Sequence, residues 1–267
     1  MQPIHGGMEA VIRGTTMPVL EVDLLPGESV VAEAGHIGWF DDGIELQTMT
    51  DVAGADNVFE AGLRSLGGGT FFMTRYAATT QAGTVAFPAR LPGTIVQVPL
   101  GPGRSYLIQR HGFLAAIEGA ELTAAVDPGK LGSGFVGGFG FVLQKLEGAG
   151  HAWVELAGEL TRHDLAPGQS ISVHPAHIGL IEQSIEYELT TVPGIMNKLF
   201  GDGVFLMRLT GPGRVWLQSM SLELLAHSLL PFLPSTTDGG KVQSSTLEAA
   251  AIGGTIGATV RGLGKLL

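Results

Sequence analysis

Gly140-Phe-Val-Leu-Gln-Lys-Leu-Glu-Gly-Ala-Gly-His-Ala-Trp153 aligns without a gap on Gly203-Val-Phe-Leu-Met-Arg-Leu-Thr-Gly-Pro-Gly-Arg-Val-Trp216. Both stretches run glycine, four mainly apolar residues, a base and Leu, then Gly-x-Gly, then x-apolar-Trp. Apolar runs on either side of Gly-x-Gly read as two strands joined by a hairpin or bulged turn. A shorter copy stands upstream as Gly69-Thr-Phe-Phe-Met-Thr-Arg-Tyr76 followed by Gly83-Thr-Val-Ala-Phe87. Self-similarity of this kind decides the fold before any single element does.

A second pattern precedes each copy. Leu25-Pro-Gly27, Leu91-Pro-Gly93 and Ala166-Pro-Gly168 each open an apolar stretch, at Ser29 to Ala32, Thr94 to Val98 and Ser170 to Val173. Pro pre-sets φ at one central turn position and Gly accepts positive φ at the next, so Pro-Gly marks a tight turn. The first and third copies continue alike, as Ala34-Gly-His-Ile-Gly38 and Ala176-His-Ile-Gly179, and the second carries Arg110-His-Gly-Phe113 after a longer connection. Ile171-Ser-Val-His174 and Tyr187-Glu-Leu-Thr190 alternate apolar and polar residues, the period of a half-buried strand. The unit is turn, strand, turn, strand, loop, long hairpin. It occurs three times, over about 15–87, 88–160 and 161–233, with the Pro-Gly turns 66 and 75 residues apart (25 to 91, 91 to 166). One unit exposes an apolar face that it must bury against the others. The expected architecture is therefore all-β: an antiparallel β-sandwich or prism of three internal pseudo-repeats, in a core over 1–233.

Composition agrees. Of 267 residues, 45% are hydrophobic and 15% charged, enough for a sizeable core, and 41 glycines with 14 prolines imply many turns and short strands. Helical signals are few. Asn57 to Leu66 is predicted as a short helix. Ser221 to Leu230 places Leu222, Leu225 and Leu229 on one face and ends at Pro231. Residues 234–267 read as a Ser/Thr/Gly linker and a small-residue-rich tail. Its glycines favour a mobile segment over a helix docked on a partner or membrane, since each costs a helix roughly 1 kcal/mol relative to Ala.

Several function classes are disfavoured. The net charge is −10 and the 15 Lys and Arg form no basic run, so nucleic acid is not an expected partner. There is no cysteine for disulfides, thiolate metal sites or a cysteine nucleophile. The first ten residues lack the basic and apolar regions of a signal peptide, and no uninterrupted apolar run reaches about 18 residues, so a cytoplasmic, non-spanning protein is expected. P-loop, dinucleotide and Gly-x-Ser-x-Gly motifs are absent. Gly67-Gly-Gly69 and Gly137-Gly138 precede strand-like runs rather than a helix N-terminus, so they read as hairpin glycines.

Histidine carries the only candidate metal site. His174 and His177 form His-x-x-His, which places the two on opposite faces of a strand, with Pro175 between them. His36, His111 and His177 hold corresponding places in the three units. Units arranged about a pseudo-threefold axis with that position inward would converge three imidazoles, a set suited to zinc or another divalent cation. Set against this, each His can simply hydrogen-bond within its turn, and no carboxylate recurs at an equivalent position to support the ligands. Among acids, Asp41 and Asp42 lie in a turn and Glu182, Glu186 and Glu188 flank a strand, where solvation is the ordinary role. Trp153 and Trp216, alternating with apolar neighbours, read as core or interface residues rather than a stacking platform.

Leu25-Pro-Gly-Glu28, Gly67-Gly-Gly-Thr-Phe-Phe72, Leu91-Pro-Gly-Thr94, Leu146-Glu-Gly-Ala-Gly150, Ala166-Pro-Gly-Gln169, Phe200-Gly-Asp-Gly203 and above all Leu209-Thr-Gly-Pro-Gly-Arg-Val-Trp-Leu-Gln218 resemble a known family. It contains the mitochondrial "altered inheritance of mitochondria" protein and many bacterial relatives, and the matching stretches span roughly 15–233. The resemblance implies an antiparallel fold like that of the tryptophan-RNA-binding attenuation protein (TRAP), and self-association. It brings no catalytic motif. The first expectation is thus a non-enzymatic scaffold or interaction protein that binds itself, with a further protein partner open. The alternative is a small-molecule or metal-binding module with a pocket on the pseudo-axis, and an enzyme comes last.

Overall fold

The structure is a computed structural model that describes residues 2–5, 8–49, 73–117, 119–124, 143–191, 205–229 and 232. The segment 57–66 and the tail from 234, for which a helix and a linker with tail are predicted above, lie outside the described residues.

Among the described residues each unit has six strands in one order. The first comprises β3 (Val19–Leu24), β4 (Ser29–Glu33), β5 (Trp39–Phe40), β6 (Ile44–Met49), β7 (Met73–Ala78) and β8 (Gly83–Pro88). The second comprises β9 (Gly93–Leu100), β10 (Tyr106–Gln109), β11 (Phe113–Ile117), β12 (Ala120–Ala124), β13 (Leu143–Gly148) and β14 (Gly150–Ala157). The third comprises β15 (Leu160–Leu165), β16 (Ser170–Val173), β17 (Ile178–Glu182), β18 (Glu186–Thr191), β19 (Phe205–Thr210) and β20 (Gly213–Gln218). An N-terminal hairpin, β1 (Gln2–His5) and β2 (Met8–Arg13), extends the outer edge of β3. Among the described residues one α-helix, α1 (Leu222–Leu229), follows β20 where the leucine spacing predicts it.

Pairing is the same in every unit. The first strand pairs the sixth. The fifth lies between the second and the fourth. The third pairs the sixth from the other side. All are antiparallel, so the all-β, three-repeat architecture expected from the sequence is what forms. Register makes the Gly-x-Gly motif the anchor of equivalence. Leu24 opposes Gly83, Leu100 opposes Gly150, and Leu165 opposes Gly213. The turn between β13 and β14 needs its glycines, since Gly148 and Gly150 have φ of +111° and +92°. A Cβ at Gly150 would fall 2.0 Å from Ile117 Cδ1.

Units join by sharing sheets. β4 pairs β11, fusing halves of units one and two into the sheet β6-β7-β4-β11-β14-β9. β10 pairs β17, fusing units two and three into β12-β13-β10-β17-β20-β15. Three apolar cores lie between successive sheets. The first gathers Leu20, Tyr76, Phe87 and Trp153, the second Ile108, Leu146, Leu156 and Trp216, the third Ile178, Ile181, Met207 and Val215. The fused sheets carry apolar residues on both faces, so their strands read as nearly continuous apolar runs such as Phe113–Ile117. β16 and β5 are the two strands that would complete a third such junction. They end separate sheets, β16-β19-β18 and β1-β2-β3-β8-β5.

Candidate functional site: the junctions between units

At each internal junction the third strand of one unit brings a cross-strand pair against the preceding unit. At the first, Ala115 opposes Trp153, and at the second, Leu180 opposes Trp216. Trp153 is fully buried in the core of unit one, and Trp216 is buried in that of unit two, edge-on to Tyr106 with ring centroids 6.3 Å apart. Burial raises the Tyr106 hydroxyl above its ordinary pKa, and the charge of Glu182 adds to this. The equivalent pair in unit one is Trp39 opposite Ala86. The large and small members have exchanged strands, so each of the chain's three tryptophans holds one unit's place. Trp39 is 50% exposed and Phe40 42%, whereas their counterparts Ala115, Ala116, Leu180 and Ile181 are wholly buried.

Polar side chains close the rims of the internal junctions. Glu155, two residues beyond Trp153, accepts from the Arg90 backbone N–H at 2.8 Å. Its Oε1 lies 3.2 Å from His36 Nε2 and 3.6 Å from Arg90 Nε. Arg90 also pairs with Glu33, and its Nη2 sits 2.9 Å from His36 Nδ1. A guanidinium only donates, so His36 Nδ1 is the acceptor and its proton sits on Nε2, facing Glu155. That contact is close but bent away from ideal hydrogen-bond geometry. Gln218, two residues beyond Trp216, does the same work without charge. Its Oε1 accepts from Ala157 N at 3.0 Å, its Nε2 donates to Ala176 O at 3.2 Å, and its amide exchanges hydrogen bonds with that of Gln109. His177 Nδ1 lies 2.9 Å from the Gln218 carbonyl and so carries the proton there.

The three repeat histidines all occupy the connection from second to third strand. His36 is buried and held by Arg90 and Glu155. His111 lines a small cavity with Arg90, Gln109, Glu155 and Leu222. His177 stands beside Gln218 and, ring centroids 5.9 Å apart, His174. Among the described residues no group of three or more His, Asp or Glu is placed to hold a metal ion. His36 and His177 each commit a ring nitrogen to the rim instead. Burial, and then His177, lower the pKa of His174, whose Nδ1 accepts from Ala176 N. Of the acids singled out in the sequence, Asp41 caps Thr84 N and Glu182 grips Arg214 through both oxygens. Glu188 lies 3.9 Å from Arg208 on an exposed sheet face. These are structural roles.

Sequence reading missed the Arg90–Glu155–His36 cluster and the Gln218–Gln109 pair. The signal was present, because Glu155 and Gln218 stand at the same offset after the aligned tryptophans. Trp39 escaped notice because its strand holds only two residues and lies outside the hairpin motif.

The fold defines the class as an all-β protein of three units joined by shared antiparallel sheets. The chain belongs to the Mitochondrial biogenesis AIM24 family, whose model matches residues 10–220. It is similar to an uncharacterized protein of Streptococcus pyogenes serotype M6, 26% identical over 231 residues, which are 85% of this chain and 91% of that one. A crystal structure of a Streptococcus pyogenes protein shares the fold, with TM-score 0.66 and 23% identity over 85% of this chain and 100% of the other. Among the described residues no helix is long and apolar enough to cross a membrane.

Proposed function

We propose that this protein is a non-enzymatic scaffold that associates with copies of itself head to tail, the β5 edge of one copy pairing with the β16 edge of the next. The observation that carries this reading is the exposure of Trp39 and Phe40 at positions buried in both internal junctions. An exposed edge ending in large apolar residues is a template for another strand. The two edges are the two halves of a junction that the chain already makes twice. Ala116 opposes Val31 and Ile181 opposes Leu107. The same register sets Phe40 of one copy against Ser172 of the next, with Trp39 entering the third core. Such a contact is heterologous, so it closes into a ring or runs on as a filament according to the rotation it imposes.

The native chain has no cysteine, which makes the register directly testable. Phe40→Cys and Ser172→Cys proteins, purified separately, mixed and oxidised, form a mixed disulfide dimer, since paired strands hold Cα atoms within disulfide range. A disulfide that forms only within a doubly substituted chain, and never between singly substituted ones, contradicts association between copies.

A further inference from the structure

Among the differences between the units, one falls at a rim position that both internal junctions use for a polar contact. Register places Pro88, Glu155 and Gln218 at the same point, each five residues after the anchoring glycine, Gly83, Gly150 and Gly213. Glu155 and Gln218 each send a side-chain oxygen to a backbone N–H at the end of the preceding unit, Arg90 N and Ala157 N. Each also engages that unit at or just beyond the end of its second strand, at His36 or at Gln109. In the junction between copies, the Met220 N–H takes the place of Arg90 N and Ala157 N, His177 that of His36, and His174 that of Gln109. Met220 N donates to Ala157 O at 3.2 Å, so an acceptor at this rim position would share that donor. Pro88 supplies no side-chain acceptor or donor, and its ring instead lies against Gly38, where an added Cβ would come 2.7 Å from it.

We infer that Pro88 is the residue that makes the junction between copies exchangeable, by withholding the polar rim contact that fastens both internal junctions. This rests on the head-to-tail reading above. The internal junctions are fastened three ways: by the strand pair, by the tryptophan and by the rim contact. The junction between copies has only the first two, so copies dissociate while units within a chain stay together. The position therefore tunes the lifetime of the assembly without altering the fold of the protomer.

The test is subunit exchange between donor- and acceptor-labelled full-length protein, followed by energy transfer after mixing. Pro88→Gln restores the amide found at Gln218 and is expected to slow exchange roughly three- to ten-fold, the range for one added hydrogen bond. Pro88→Ala removes the ring without adding an acceptor and is expected to exchange like the native protein. Pro88→Glu, carrying the side chain of the first junction, gives an independent second reading if the Gln variant fails to fold. Equal exchange rates for the Ala variant and a folded Gln or Glu variant overturn the inference and leave self-association standing. A native protein that shows no energy transfer at any concentration overturns the head-to-tail reading beneath it.

Discussion

Trp153 and Trp39 occupy opposite members of the same cross-strand pair, yet one has no exposed surface and the other is half exposed. Around Trp153 the preceding unit supplies Tyr76, Phe87 and Leu20, so the ring completes a core within the chain. Among the described residues no strand pairs with β5 on the far side from β8, and Trp39 stays half exposed. The difference teaches that this repeat is not self-sufficient. Unit two finishes the core of unit one and unit three that of unit two, and the proposed head-to-tail contact extends the same logic to the third core and the first edge.

The comparison breaks most visibly at the tryptophans themselves. Trp153→Ala removes a fully buried ring from the first core and should cost about 3–5 kcal/mol of folding stability, read from urea denaturation. Trp39→Ala should leave that unfolding midpoint, measured on dilute protomer, within about 0.5 kcal/mol of native, while abolishing association. Comparable loss of protomer stability from both substitutions would mean that Trp39 already serves the chain's own fold.

The rim contacts sharpen the comparison at smaller scale. Glu155→Ala strands the Arg90 N–H and weakens the hold on its guanidinium, and Gln218→Ala strands Ala157 N–H and the Gln109 amide. Each should cost up to about 1–3 kcal/mol in the same denaturation assay, the Gln218 change more than the Glu155 change because Ala157 N–H is buried and Arg90 N–H only part-buried. Glu155→Gln keeps an acceptor for Arg90 N while giving up the ion pair, and should cost less than the alanine change. Stabilities unchanged in all three variants would remove the rim from the account.

The smallest effect concerns pH. His174 is held below its ordinary pKa by burial and by His177, so the unfolded chain binds its proton more readily than the folded one. Its contribution to stability is present above the unfolded value of about 6.5 and is lost as pH falls below that toward the folded value. The side chain is largely exposed, so the effect is small. Titration of its ring by NMR should give a midpoint below the ordinary histidine range, and His174→Gln should flatten the melting temperature between about pH 5 and pH 7.

The fold was legible because its signals are local and repeated. Gly-x-Gly followed by an apolar residue and Trp fixes a hairpin, and Pro-Gly fixes the turn before it. Repetition then makes chance matches improbable, and the leucine-spaced helix α1 follows from its own periodicity. The junctions were less legible because they join residues far apart in the chain. Arg90, Glu155 and His36 meet only when unit two lays β11 against β4. The three histidines share a connection, as their repeat register says, but a shared position in the repeat does not bring side chains together. Neighbouring units present that connection at different rims, where Arg90 and Gln218 take up the ring nitrogens of His36 and His177. Trp39 shows the limit most clearly. Its equivalence to Trp153 and Trp216 runs through a strand pair rather than through sequence, and it appears only when Ala86 is seen opposite.

Sedimentation velocity of the native protein and of Trp39→Ala, over about a hundred-fold range of concentration, tests the central claim most directly. The account predicts that the native chain associates as concentration rises and that Trp39→Ala stays a folded monomer throughout. A native protein that remains monomeric at every concentration, or a Trp39→Ala protein that associates just as well, would contradict it.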